Sequence, residues 1–199
     1  MTADSYLDAI FHRRSIYALD ANLDVSKERI VEIVEKAVEG TPSAFNSQSA
    51  RVLVLTGDHH TALWNIVMEA LRAIVPAEGF AATEEKVNSF AAAAGTLLYF
   101  DDMSIVEGLQ DQFPLYADNF PVWASQANAM VQSNVWNALE LEGVGASLQH
   151  YNPLIDHAVK QKWNVPASWK LVAEMPYGHQ TAEAGPKESM DVKQRVIVY

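Results

Sequence analysis

Apolar residues recur at two different periods along this chain, and the alternation between them predicts more helix than strand. Over residues 5–12, Tyr6, Ala9 and Ile10 share one face of a short helix whose far end delivers the basic pair Arg13-Arg14. Ser26 is the expected N-cap of the next helix, with Ile30, Ile33, Val34, Ala37 and Val38 at helical spacing and Gly40 closing it. Residues 51–56 are rich in β-branched side chains and read as a short buried strand. A helix is expected from Gly57-Asp58 to about Val75, stopped by Pro76. A polar helix over 83–93 then leads to a second strand at 96–101.

Residues 110–123 have no period at all and are dense in aromatics and prolines, which suits a lid or a partner-facing excursion. A long helix follows over 124–142, apolar on so many sides that it belongs in a core or at a subunit interface. Residues 143–147 read as a turn, and Asn152-Pro153 as the N-cap and first position of a helix to about Trp163. A strand is expected at 169–175, a polar loop at 178–188, and a terminal strand at 195–199 of the kind that pairs with a neighbouring subunit. There is no internal repeat, so the expectation is one α+β domain spanning 1–199.

Composition narrows the function classes. The net charge is -11 with only 14 Lys and Arg, which argues against nucleic acid and anionic lipid as partners. Cysteine is absent, so thiol nucleophiles, disulfides and thiolate metal sites are excluded, and any redox chemistry must reside in a cofactor. Neither a signal-like first segment nor an apolar run of membrane-spanning length is present, and a soluble cytoplasmic protein is expected.

Two segments carry the chemistry. Arg13, Arg14 and Ser15 offer two guanidinium forks and a hydroxyl, a set suited to a phosphate in a chain otherwise acidic. Pro42, Ser43, Asn46 and Gln48 offer a hydroxyl and two carboxamides, which read a heterocycle edge that both donates and accepts hydrogen bonds. Taken singly, the first is also what a solvated helix end looks like, and the second what an Asx-type turn looks like. Together they fit flavin mononucleotide (FMN). No P-loop, G-x-G-x-x-G run or G-x-S-x-G elbow competes with that reading.

The stretches 13–17, 41–49, 108–121 and 143–153 resemble the nitroreductase family of flavoproteins, and within it a short fungal-type branch also found in bacteria. The resemblance spans nearly the whole chain. It implies a central mixed sheet flanked by helices, an intertwined homodimer with FMN at the subunit interface, and a C-terminal segment reaching onto the partner. By position, Arg13 and Ser15 would contact the FMN phosphate and Arg14 the ribityl chain and ring, where its charge makes it the one catalytic candidate. Pro42, Ser43, Asn46 and Gln48 would line the flavin from the other subunit. Gly145, Leu148, Gln149 and His150 would pass over its second face, and Lys187, with Arg195 as the alternative, would complete the phosphate site.

The implied reaction is ping-pong reduction of nitroaromatics, quinones or related small acceptors by NADH or NADPH. A flavin-binding regulatory or sequestering protein would use the same contacts, and a cofactor-free dimerising module is the third reading. His59-His60 do not suit a metal site and are expected at the surface, whereas His150 either donates to the flavin or packs beside it. The aromatics of 110–123, with Trp136 and Tyr151, are candidates for a stacking wall or for core packing.

Overall fold

The computed structural model describes residues 2–199. Helix α1 (Ala3–His12) starts on a reciprocal cap in which the Thr2 hydroxyl accepts from the Ser5 N–H and the Ser5 hydroxyl occupies the Thr2 backbone N–H. After the short strand β1 (Leu19–Asp20), α2 (Lys27–Gly40) is capped by Ser26 as expected, its hydroxyl accepting from Arg29 N–H at 3.2 Å. Strand β2 (Ala50–Thr56) leads to α3 (Asp58–Arg72), which ends three residues short of the expected Val75, and α4 (Phe80–Ala91) begins earlier than the sequence suggests. Strand β3 (Gly95–Asp102), α5 (Met103–Gln112), α6 (Phe120–Leu141), β4 (Val144–Ala146), α7 (Asp156–Trp163) and β5 (Trp169–Gln180) complete the order.

The strands form one sheet in the order β1-β5-β3-β2, with β4 also paired to β5. Every pairing is antiparallel, which corrects the expectation of a mixed sheet within this chain. β3 lies in the middle and alternates two apolar faces: Leu97 and Tyr99 enter the core beneath α2 and α6, and Leu98 and Phe100 enter the core beneath α3, α4 and α7. β2 lies at the edge of the sheet, and so most of its residues are half-buried rather than fully buried.

Five further expectations are corrected. Half of the supposedly aperiodic segment is helix: α5 starts on Asp102, whose carboxylate accepts from the Ser104 N–H, and runs to Gln112. Only 113–119 remain between it and α6, which starts four residues before the expected Ala124. Residues 144–146 form a strand instead of a turn, because their backbone pairs with 177–179 of β5. Asn152 does not cap α7; its side-chain amide donates to Leu171 C=O at 3.3 Å, and the helix starts at Asp156. Residues 195–199 are not a strand in the single chain: no described residue pairs with them, and Val198 is 89% exposed.

His60 is also corrected, from surface to core. It is 3% exposed, with Nε2 at 3.1 Å from Ala91 C=O and Nδ1 at 2.9 Å from the Thr96 hydroxyl. A carbonyl only accepts, so Nε2 carries the proton. Nδ1 then accepts from Thr96, whose oxygen takes the Trp64 indole N–H at 3.1 Å. Burial holds the imidazole below its ordinary value. The native state therefore keeps it neutral while the unfolded chain protonates, so its stabilisation is full above the unfolded value and declines as pH falls below it. His60→Leu is expected to flatten that acid-side slope in urea unfolding measured from pH 8 to pH 5; an unchanged slope would contradict the assignment.

Candidate active site

The first motif and the loop after β5 enclose a cleft of about 500 Å³. Two anchors place the motif. Arg13 N–H closes α1 onto Ala9 C=O at 3.1 Å, and Ile16 N–H bonds Ala146 C=O of β4 at 2.9 Å. The approach to β4 is close because Gly145 stands opposite: a Cβ there would lie 2.8 Å from Leu19 Cδ2 and 3.1 Å from Ile16 Cγ2. Arg13, Arg14 and Ser15 thus leave a helix end and enter a backbone held to the sheet. Across the cleft run 182–187, and Lys187 is among the lining residues whereas Arg195 is not.

The two arginines are held differently. Arg14 donates from NH2 to Gly185 C=O at 2.5 Å, tying the motif to the opposite loop. Arg13 lies over the Trp136 ring with its guanidinium carbon 4.1 Å from the centroid. Its side chain makes no hydrogen bond or ion pair among the described residues. Partial burial lowers its pKa, the Glu140 carboxylate opposing that effect, and a guanidinium so placed stays charged at neutral pH. The Ser15 hydroxyl and the Lys187 ammonium are likewise without protein partners among the described residues. The cleft therefore presents two cations and a hydroxyl with unengaged donors, the chemistry of an anion site.

The second motif lines a different cleft, of about 460 Å³, with Pro42, Ser43 and Gln48 in its wall beside Ser49, Arg51 and residues of α2 and α6. The two clefts share no lining residue. The loop is folded tightly: Ser43 Oγ accepts from Gln48 N–H at 2.9 Å, and Phe45, Asn46 and Gln48 all have positive φ. Asn tolerates that region, whereas Phe does so at a cost, which the surroundings offset. The Phe45 ring packs 4.9 Å from Phe113, 5.3 Å from Phe120 and 6.1 Å from Trp123, nearly parallel to the last. So the aromatics of 113–123 form the seat of the loop. Asn46 is exposed and outside the cleft wall. Behind Ser49 a buried chain runs from Asp101 through Asn128 to Gln132, with Asn128 donating to Asp101 at 3.1 Å; burial raises the Asp101 pKa.

The third group is less uniform. Gly145 is buried beside the first cleft, Leu148 is half-buried and His150 exposed. Gln149 is buried, its backbone paired with Glu174 and its amide donating to Ser147 Oγ at 3.1 Å. None of these four residues is in the wall of either cleft.

This arrangement has counterparts. The family model described as "Nitroreductase family" matches residues 10–179. Nitroreductase FRM2 of Saccharomyces cerevisiae is 35% identical over 98% of this chain and 97% of its own length. Nitroreductase CinD of Lactococcus lactis, solved with chloramphenicol, is 46% identical with a TM-score of 0.90, covering 98% of this chain and 99% of that one. It has also been solved with 4-nitrophenol. A protein of Desulfovibrio desulfuricans solved in complex with FMN shares the fold, with a TM-score of 0.72 at 21% identity over 100% of this chain and 98% of that one. The chain belongs to the nitroreductase family, and it is an oxidoreductase of that type.

Sequence reasoning assigned no site role to Tyr17, although it ends the first matching stretch, or to Arg51, yet they stand in the walls of the first and second clefts. Trp136, expected either to stack on a ligand or to pack in the core, is brought by the fold under Arg13 instead. Arg51 donates to Gln48 C=O at 2.6 Å and pairs with Asp102 at 3.2 Å, bracing the loop from within.

Proposed function

We propose that the protein binds FMN and uses NADH or NADPH to reduce nitroaromatics, quinones or related small acceptors in a ping-pong cycle. The observation that carries this reading is the trio of unengaged donors, Arg13, Ser15 and Lys187, converging on one cleft of a nitroreductase fold. These residues fit a phosphate. FMN, when bound, supplies hydride acceptance from the nicotinamide and its delivery to the acceptor. Arg13, Ser15 and Lys187 hold the phosphate, and Arg14 closes the 182–187 loop over it while adding positive charge beside the cofactor. Pro42, Ser43, Asn46 and Gln48 would read the heterocycle, and Gly145, Leu148, Gln149 and His150 would bound its other face.

Because the two motifs open onto separate clefts, the complete site needs a second copy of the chain, and a homodimer of one 199-residue domain per subunit is part of the reading. The exposed apolar groups support it: Phe11 is 83% exposed, and Val196, Ile197 and Val198 stand in solvent at the C-terminal end. The chloramphenicol and 4-nitrophenol complexes of CinD support small aromatic acceptors. No helix among the described residues is long and apolar enough to cross a membrane; a cytoplasmic location is a further part of the proposal.

The test is the visible spectrum of the purified protein under anaerobic conditions. A yellow protein that bleaches with NADH or NADPH and regains colour on adding a nitroaromatic is expected. A yellow protein that does not bleach would favour the flavin-sequestering alternative, and a colourless one that refuses added FMN would reject both.

A further inference from the structure

We infer that Trp136 is the positioning residue of the phosphate site: its indole face holds the Arg13 guanidinium flat, so that the N–H edge of that guanidinium stays free for the anion. The inference rests on the FMN reading of the cleft and adds a residue on α6 that neither motif contains.

The Arg13 guanidinium carbon lies over the Trp136 ring, 4.1 Å from its centroid, a separation that suits face-on stacking. Stacking uses the face of a guanidinium and leaves its in-plane donors available, which a salt bridge does not. The other arginines of the folded body all engage an acceptor. Arg29 is bound to Glu32 and Glu142 and Arg14 to Gly185 C=O; Arg51, 5.7 Å from the Trp169 centroid, is bound to Asp102, and Arg72, 4.5 Å from that of Phe80, to Glu84, so of the three arginines over a ring Arg13 is the nearest and has no acceptor. In a chain with 25 acidic residues a free arginine finds an acceptor readily. Arg13 has not.

Glu140, one turn beyond Trp136 on the same helix face, completes the device. Its charge acts on Arg13, yet the two are not within ion-pair distance, so it offsets the cation without capturing the donors. Trp136 itself is wedged beside the core under α2 and α6, and its indole N–H is buried with no hydrogen-bond partner among the described residues. Nothing in the fold requires the indole for a hydrogen bond here, whereas the ring face is in use.

The experiment compares FMN with riboflavin, which lacks the phosphate, by quenching of flavin fluorescence on titration with apoprotein. Trp136→Leu is expected to weaken FMN binding about fivefold, within the range of a partly desolvated cation–π contact, while riboflavin changes little. Trp136→Phe should recover most of the FMN affinity. Equal weakening of both flavins would overturn the inference by showing a general packing lesion, as would a wild-type FMN to riboflavin ratio in Trp136→Leu. Arg13→Lys keeps the charge at a partly exposed position but cannot stack as a plane. It is expected to lose FMN affinity several-fold, and wild-type affinity in that variant would also overturn the inference. Arg13→Ala separates the two levels: if it leaves the FMN to riboflavin ratio untouched, the phosphate reading of the cleft itself fails.

Discussion

Arg13→Ala is expected to weaken FMN binding roughly a hundredfold, since it removes charge-assisted hydrogen bonds to a phosphate from a group engaged by no other partner. Riboflavin should bind the variant almost as it binds the parent protein. Both follow from the same geometry. Arg13 reaches the cleft from the end of α1 and lies over the Trp136 face without a hydrogen bond or ion pair of its own among the described residues, so removing it takes away chiefly an anion contact. Arg14 provides the contrast. Its NH2 is bonded to Gly185 C=O, so Arg14→Ala should loosen the 182–187 loop first and affect the phosphate through Lys187. Isothermal titration of apoprotein with FMN at two salt concentrations measures the loss. An Arg13→Ala variant with parental affinity and parental salt dependence would remove the cation cluster from the binding site altogether.

The second large effect concerns stability. Glu174 on β5 is 0% exposed, within the core that holds Leu98, Phe100 and Ile155. Its Oε2 accepts from Tyr151 N–H at 2.9 Å, while Oε1 has no partner among the described residues. Burial, with the Asp156 charge adding to it, pushes the Glu174 pKa from 4.5 up to about 7. A carboxyl raised on folding binds its proton more tightly in the native state. Its stabilisation is therefore full below 4.5 and is lost progressively as pH rises to about 7, levelling off above. The rise corresponds to about 3 kcal/mol, an order-of-magnitude figure.

Glu174→Gln keeps an acceptor for Tyr151 N–H and cannot ionise. It is expected to be more stable than the parent at pH 8 by up to about 3 kcal/mol and to lose this slope in urea unfolding. Because the His60 contribution runs in the opposite direction with pH, the parent profile alone is blunted, and the two single variants separate the slopes. Parallel profiles for Glu174→Gln and the parent would show that the carboxyl is ionised in the fold.

Much of the architecture was readable from local pattern. Ser26 and the 30–38 stripe specify α2 because capping and helical period are properties of neighbouring residues. The β-branched run at 50–56 specifies β2 for the same reason. Where pairing partners decide, the local reading failed. Residues 144–146 carry two small residues and look like a turn, yet become strand because β5 continues five residues past the expected end and offers them a ladder. Residues 195–199 carry a strand pattern and remain irregular in the single chain because no described residue offers them one. His60 looked like one of a solvated pair; only the packing of α3 on β3 and α4 places one imidazole against Thr96 and Ala91 and leaves the other outside.

By itself the sequence determined which chemical groups are available: two adjacent arginines, a serine, a loop of amides, and no thiol, in a chain whose stretches resemble one flavoprotein family. Those follow from residue identity and short spacing. Tertiary structure alone decided how they are used. It laid Arg13 on Trp136 and tied Arg14 to Gly185, gave Phe45 its aromatic seat, and opened the two motifs onto separate clefts, because stacking, burial and shared walls arise between segments far apart in the chain.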